Sequence, residues 1–292
     1  MLSVHEPEFE QEWIEWANEC PGAYRFFLNG KTDFESLLPR IADEVRDTRW
    51  GTHSLAVAEI ALLRAALRDE AVTHLVVVQG DALPVRPLGD LLDLLEETGD
   101  LSLFDPGGAD EKNKSDLRSN FESACLTCSD ESNWWRDVYF HPRPSKNVHS
   151  RRHAGYSHQC CLLSRLGAEQ VVRMPIEVFR DYDSLCGIDA SLTLTDEAAR
   201  QSKSLTYFMG AEEIVFEAWI RVSLGPRLIR HVPLMYCEPC ATSSSDGRHA
   251  ALLTTRLGSQ KNYFARKFAR GVSESTRAFK LARVRRRALK AS

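Results

Sequence analysis

"THLVVVQGDALPVRP" occupies residues 73–87, and its reading decides the fold. Leu75 to Val78 form an unbroken apolar run, rich in β-branched side chains, that stops at Gln79 and Gly80. A short run of this kind bounded by glycine is the pattern of a parallel strand buried on both faces. The segment before it, "THSLAVAEIALLRAALRDE" (52–70), puts Leu55, Ala58, Leu62 and Leu63 at helical spacing. The segment after it, "PLGDLLDLLEETG" (87–99), also reads as a helix, and "DLSLF" (100–104) as the next strand.

The alternation extends in both directions. "EPEFEQEWIEWANE" (6–19) is an amphipathic helix with Phe9, Trp13 and Trp16 on one face. "YRFFLNGK" (24–31) reads as a strand and turn, and "DFESLLPRIADEV" (33–45) as a helix interrupted by Pro39. Regular patterning is lost from 105 to 150. It returns with a strand running into a helix at "QCCLLSRLGAEQVV" (159–172), a helix at "GAEEIVFEAWIRV" (210–222) and a strand at "HVPLMYC" (231–237). Strand and helix in alternation predict an α/β fold, a mostly parallel central sheet flanked by helices. Ligands of such sheets lie at the carboxyl ends of the strands, which points to "QGDALP" and "LNGK".

Composition narrows the function. The 292 residues are 43% hydrophobic and 27% charged, ordinary for a globular chain and enough for a substantial core. Net charge is −4, unevenly spread: residues 261–292 hold eleven Lys/Arg against one acid, Glu274. An acidic body with a basic end is not the profile of a nucleic-acid-binding domain. No stretch approaches the roughly 20 apolar residues that span a bilayer, and "MLSVHEPEFEQ" turns acidic too early for a signal peptide. The expectation is a cytoplasmic protein, or the catalytic part of one anchored by other means. Residues 1–271 read as a single domain and 272–292 as a basic tail. Its "STRAFKLARVRRRALKAS" fits an amphipathic helix in peripheral contact with an anionic membrane, or a solvated end.

Several chemistries are excluded by spacing. "GKT" (30–32) lacks the earlier glycine of a phosphate loop, having Arg25 there. No Gly-x-Gly-x-x-Gly, no Gly-x-Ser-x-Gly and no His-Glu-x-x-His is present. Cys125/Cys128 and Cys237/Cys240 form two Cys-x-x-Cys pairs, which read either as reduced, partly buried thiols or as a four-thiolate zinc site. Glu212 and Glu213 open a helix, where acids complement the dipole by about 0.3–1 kcal/mol each. One of them, beside Phe216 and Trp219, would also suit a general base, since apolar walls raise a carboxyl pKa toward neutrality. Near the end, "NYFARKFARG" (262–271) holds Arg266 and Lys267 between Phe264 and Phe268. A cation meeting a diphosphate at ~4 Å in an intermediate dielectric gains roughly 4 kcal/mol before desolvation.

These pieces, in this order, resemble the core-2/I-branching β-1,6-N-acetylglucosaminyltransferases, whose relatives include peptide O-xylosyltransferases. "LSVHEPEFEQ" (2–11) is similar to the family's opening strand and helix, and "FFLNGKTDF" (26–34) to its His-x-Asp-x-Lys strand. "TRWGTHSLAVAEIALLRAAL" (48–67) resembles the Trp-Gly-x-x-Ser helix, and "VVVQGDALPVRP" (76–87) the Ser-Gly-x-Asp stretch. "YSHQCCLLSR" (156–165) resembles Gly-Ser-Gln-Trp-x-x-Leu-Ser-Arg, "AEEIVFEAW" (211–219) Pro-Asp-Glu-x-x-Phe-x-Thr, and "YFARKF" (263–268) Phe-Ala-Arg-Lys-Phe.

The resemblance implies a GT-A type nucleotide-sugar fold and an inverting transfer from a UDP-sugar to a glycan, polysaccharide or glycolipid hydroxyl. It implies no metal and no cofactor beyond that co-substrate, and no Asp-x-Asp ends an apolar strand here. Glu213 would be the general base, with Glu212, Gln159 and Trp219 on the acceptor side. His5, Asn29, Lys31 and Asp81 would bind the donor, and Lys267 with Arg266 would neutralise the departing UDP. The chain departs from the family at Phe27, Asn29, Cys160, Ala211 and Ala218, where histidine, aspartate, tryptophan, proline and threonine are expected, and its opening strand is short. The acceptor and the sugar therefore stay open, as do two alternatives: a homologue that binds without turnover, and a zinc-stapled interaction module.

Overall fold

The computed structural model describes residues 2–3, 7, 9–48, 53–105, 160–175, 178, 212–237 and 262–266; for Leu2, Ser3, Glu213, Ile214, Val222, Tyr236, Cys237 and Arg266 it describes the backbone alone. In chain order the elements are β1 (Leu2–Ser3), α1 (Glu10–Ala17), β2 (Asn29–Gly30), α2 (His53–Leu67), β3 (His74–Val77), β4 (Ala82–Pro84), α3 (Leu88–Thr98), β5 (Ser102–Phe104), β6 (Cys161–Ser164), α4 (Arg165–Val172), α5 (Glu212–Leu224), a 3-10 turn (Pro226–Leu228), β7 (Ile229–His231), β8 (Met235–Cys237) and β9 (Phe264–Arg266).

The central sheet has the order β3-β6-β5-β7. It is mixed, which corrects the expectation of a mostly parallel sheet: β6 runs antiparallel to β3 and β5, while β5 and β7 are parallel. The two strands that follow helices, β3 and β5, flank β6 and share one direction. β3 accordingly shows alternating burial, with Leu75 and Val77 buried and His74 and Val76 half-buried; Val78, just beyond it, is buried as well, and β3 lies at the sheet edge among the described residues. A smaller sheet, β4-β9-β8, pairs β4 antiparallel to β9 and β9 parallel to β8. β1 and β2 form a parallel pair.

The central sheet separates two cores. On one face Leu75, Val77, Phe104, Cys161 and Leu163 meet Ile60 and Leu63 of α2, Val171 of α4 and Phe216 of α5. On the other, Leu103 and Leu162 pack toward Trp13, Trp16, Leu91 and Phe264. The expected aromatic face of α1 is thus the buried one, with Phe9, Trp13 and Trp16 all under 9% exposed.

Two helices owe their ends to distant side chains. Leu88 N–H, at the start of α3, donates to Glu19 Oε2 at 3.0 Å. Ser164 caps α4 by accepting from Gly167 N–H at 3.2 Å, and Arg165 reaches the other way, donating to the carbonyls of Leu67, Asp69 and Val72 at 3.0, 3.0 and 2.9 Å. Leu67 is the last residue of α2, and Asp69 and Val72 lie in the turn that follows it, so the arginine fork supplies donors to the helix end and to the chain leaving it.

The helix expected at 33–45 is absent. Pro39 offers its carbonyl to Leu28 N–H at 2.9 Å, and Arg40 draws the carbonyls of Phe34 and Thr32 onto its guanidinium, so side chains satisfy this backbone instead of a helical ladder. The strand expected at 24–31 reduces to Asn29–Gly30 with a bridge at Leu28, and that expected at 231–237 divides around Pro233 into β7 and β8. Residues 272–292 lie outside the described residues. Among the described residues, no helix is long and apolar enough to cross a membrane.

Candidate functional site

Register brings the two most distinctive motifs together. β4 continues directly from Gln79-Gly80-Asp81, and in its ladder with β9 Ala82 lies opposite Arg266 and Pro84 opposite Phe264. Residues 180 or more positions apart in the chain are therefore cross-strand neighbours. The aromatic part of the late motif is core: Tyr263, Phe264 and Ala265 are all buried, and Arg86 lies over the Tyr263 ring at 4.6 Å. Trp13 fastens this corner, stacking on Phe264 and donating from Nε1 to the Ala82 carbonyl at 2.9 Å. The phenylalanine is an anchor that fixes where Arg266 leaves the sheet.

A second group gathers at the same end of the central sheet. Val77 and Phe104, the last residues of β3 and β5, both lie opposite Cys161, the first residue of β6. Gln79 and Asp81 follow β3, Asp105 follows β5, and Glu212 opens α5. Asp105 is 2% exposed and accepts from the Met235 N–H, tying β5 to β8. Glu212 is 4% and Glu59 1% exposed, and both act on Cys161. Burial chiefly, then the charges of Glu59, Cys160 and Glu212, push the Cys161 thiol well above its ordinary pKa. Gln79 buries both ends of its carboxamide with no hydrogen-bond partner among the described residues. A buried amide left so is exceptional in a folded protein.

The donor-side residues from the early strand have other work. Asn29 donates to the Val45 carbonyl at 3.0 Å and accepts from the Val45 N–H at 2.7 Å. Lys31 donates to the Thr48 carbonyl at 2.6 Å. Gly30 N–H and Arg40 both donate to Glu44, at 2.9 and 2.8 Å. Burial works against ionising Glu44, but the hydrogen bonds from Arg40, Gly30 and Arg46, with the charge of Arg40, hold its carboxyl below the ordinary value. Together these bonds pin residues 44–48 against β2. Gly30 has no room for more: a Cβ there would meet Arg40 and Phe34 at 2.8 Å.

Trp219 lies two turns beyond Glu212 and donates to the Gln170 carbonyl at 3.1 Å, bridging α5 to α4. Glu213 stands in the first turn of α5 with its side chain outside the described residues, as is that of Arg266. His5, Gln159 and Lys267 lie wholly outside them, as do Cys125, Cys128 and Cys240; Cys237 is described by its backbone in β8. The structure thus sets Asp81 next to the Ala82–Arg266 pair and Glu212 within electrostatic reach of Cys161, opposite the ends of β3 and β5, and gives Asn29, Lys31 and Trp219 internal partners. Sequence reading missed Glu59 and Asp105, and it marked Gln79 only as the first residue of "QGDALP". Glu59 had a signal, a carboxylate on the apolar stripe of α2 between Ala56 and Leu63.

No family model matches the chain, and no curated protein is similar to it at a significant level.

Proposed function

We propose that this chain is an inverting, metal-independent glycosyltransferase of GT-A type, moving a sugar from a UDP-sugar to a hydroxyl of a glycan, polysaccharide or glycolipid. The observation that carries this reading is the β4–β9 ladder, which sets Ala82 opposite Arg266. An acid at the end of an α/β strand (Asp81) and the start of a basic pair (Arg266, continued by Lys267) are thereby joined at the carboxyl end of β3, where nucleotide ligands of such sheets lie. Gln79 supports the same reading, because its buried donor and acceptor suit a polar ligand.

In this mechanism the acceptor oxygen attacks the anomeric carbon as the bond from that carbon to the diphosphate oxygen breaks. The acceptor proton passes to Glu213, in the first turn of α5. The electron pair leaves on the diphosphate, whose charge Lys267 and Arg266 stabilise. Glu212 would orient the acceptor and Asp81 the donor sugar or ribose. GlcNAc and xylose are the first donors to try.

A second reading, a homologue that binds a nucleotide-sugar without turnover, is favoured by Asn29 and Lys31, whose polar groups hold the 44–48 loop. The test is UDP release across a panel of UDP-sugars with EDTA present, for the native chain, Lys267→Ala and Glu213→Gln. Release of UDP from one donor that survives EDTA and collapses in both variants supports the transferase. Donor binding without turnover supports the second reading. Loss of all turnover in EDTA defeats the metal-independent mechanism.

A further inference from the structure

Glu217, one turn beyond Glu213 on α5, is a buried carboxylate that holds a half-open imidazole. It is 1% exposed and accepts from two sides: Arg221 reaches one oxygen, and His231 Nε2 lies 3.1 Å from the other. An ionised carboxylate can only accept, so Nε2 carries the imidazole proton and Nδ1 keeps its lone pair. The His231 side chain is 40% exposed, and its Nδ1 has no hydrogen-bond partner among the described residues. Glu217 thereby sets both the tautomer and the angle of a ring whose basic nitrogen is left open.

The place of that ring in the sheet gives it a meaning. β7 runs parallel to β5 with His231 opposite Phe104, so His231 ends its strand where Asp105 follows β5 and Cys161 begins β6. Ligands of α/β sheets lie at such carboxyl ends. In the order β3-β6-β5-β7 it stands three strand steps from β3, which is ~14 Å at the usual strand spacing. That separation leaves room for an acceptor sugar beside a donor held at Asp81. Glu213 and Glu217 are four residues apart and share one face of α5, so the imidazole borders the face that carries the proposed base.

The polar groups around it are already engaged. Asp105 accepts from the Met235 N–H, Arg230 pairs with Glu97 at 2.9 Å, and Trp219 donates to the Gln170 carbonyl. The contact expected of Trp219 on the acceptor side is therefore vacant, and His231 is placed to supply one. We propose that His231, positioned by Glu217, is an acceptor-binding residue: its Nδ1 takes a hydrogen bond from a sugar hydroxyl next to the one that reacts. The acceptor class this fits is a carbohydrate with a free hydroxyl beside the reacting one, rather than a serine or threonine of a peptide. The inference rests on the transferase reading and specifies the acceptor side of the same site.

Two substitutions separate the halves of the ring. His231→Gln keeps a donor for Glu217 and loses the Nδ1 acceptor; His231→Asn keeps a polar atom near Nδ1 and gives up Glu217. With the donor that the UDP-sugar panel identifies and methyl glycosides of galactose, glucose, GlcNAc and xylose as acceptors, rates are measured at varied acceptor and at varied donor. His231→Gln is expected to unfold like the native chain yet raise the acceptor KM by ~10-fold, with kcat and donor KM little changed. His231→Asn should be the less stable variant and lie nearer the native acceptor KM. A native acceptor KM in His231→Gln would overturn the proposal while leaving the transferase standing, and so would acceptor and donor KM rising together. A second readout needs no turnover: the His231 Cε1–H resonance, assigned by its loss in His231→Gln, is followed as each glycoside is added to the native chain with UDP, with glycerol as control. A shift with at least one glycoside and none with glycerol is expected. No shift with any of them would overturn the subsite, whereas failure to release UDP from any donor would count against the transferase reading alone.

Discussion

Trp13 lies against Phe264 with ring centroids 5.8 Å apart and planes 28° from parallel. Since its indole N–H also holds the Ala82 carbonyl, one side chain of α1 fastens both strands of the ladder that carries Asp81 and Arg266. Trp13→Phe keeps most of the stack but removes the donor from a buried carbonyl, at a cost of about 1–3 kcal/mol. Phe264→Ala opens a cavity at a fully buried position and costs about 3–5 kcal/mol. Urea unfolding of the two variants checks both values. A larger loss for Trp13→Phe than for Phe264→Ala would mean that the hydrogen bond, not the ring, dominates at this corner.

A second prediction concerns close packing between α4 and β5. A Cβ on Gly167 would stand 2.2 Å from Ser102 Oγ and 3.3 Å from Ile220 Cδ1. Gly167→Ala should therefore destabilise by about 1–3 kcal/mol through overpacking, despite the better helix propensity of alanine. Adding Ser102→Ala removes the clashing oxygen. The double variant is expected to be more stable than Gly167→Ala alone, and strictly additive losses in a thermal or urea series would argue against the clash.

Glu44 gives a pH dependence with a definite sign. Its folded carboxyl titrates below its ordinary value of 4.5, so its contribution to stability is fully present above that value. It is lost as the pH falls through the lowered folded value. Glu44→Gln should cost about 1–3 kcal/mol at pH 7. The gap between variant and native chain should close below pH 4.5, down through the folded value. A gap that stays constant from pH 7 to pH 3 would mean that Glu44 acts by shape and not by charge.

The elements legible in the sequence were those whose burial repeats at a fixed period. α1, α2 and α3 followed their apolar spacing to within a few residues, because one face of each meets a core. The segment 33–45 failed for a physical reason: Pro39 breaks the pattern, and Arg40, Asn29 and Glu44 satisfy the surrounding backbone through contacts that no local period encodes. The direction of β6 was also beyond reach, since a four-residue strand buried throughout looks the same in either orientation. At the site, the residue types of Asp81 and Arg266 suggested a ligand. Their common location, by contrast, depends on a register between residues 180 or more positions apart, which only the structure supplies.

The proposed roles of the two glutamates separate kinetically. Glu213→Gln should lower kcat by ~10²–10⁴, the usual contribution of a general base. Glu212→Gln should act mainly on the KM for acceptor, with kcat changed less. Steady-state rates at varied acceptor would reverse the assignment if Glu212→Gln were the variant without turnover.

Cys161 supplies a prediction free of any assumed activity. A thiol so buried, with its pKa pushed well up, should be inert to alkylation at pH 8, while half-buried Cys20 reacts. Peptide mapping after brief iodoacetamide treatment checks this. Rapid labelling of Cys161 in the native chain would mean that the end of the sheet between β3 and β5 opens to solvent.

The fork of Arg165 on the end of α2 has a consequence for the order of folding. Leu67 and Arg165 are separated by 98 positions, yet the carbonyls of Leu67, Asp69 and Val72 depend on that guanidinium. The last turn of α2 is an early, local structure by sequence but a late one by energetics, because its terminator arrives only when β6 has docked beside β3. Closing so long a loop is slow, and until it closes the end of α2 frays like that of an isolated helix. Amides from Leu67 to Val72 should therefore exchange together with those of β6, as one cooperative unit, and not with the middle of their own helix.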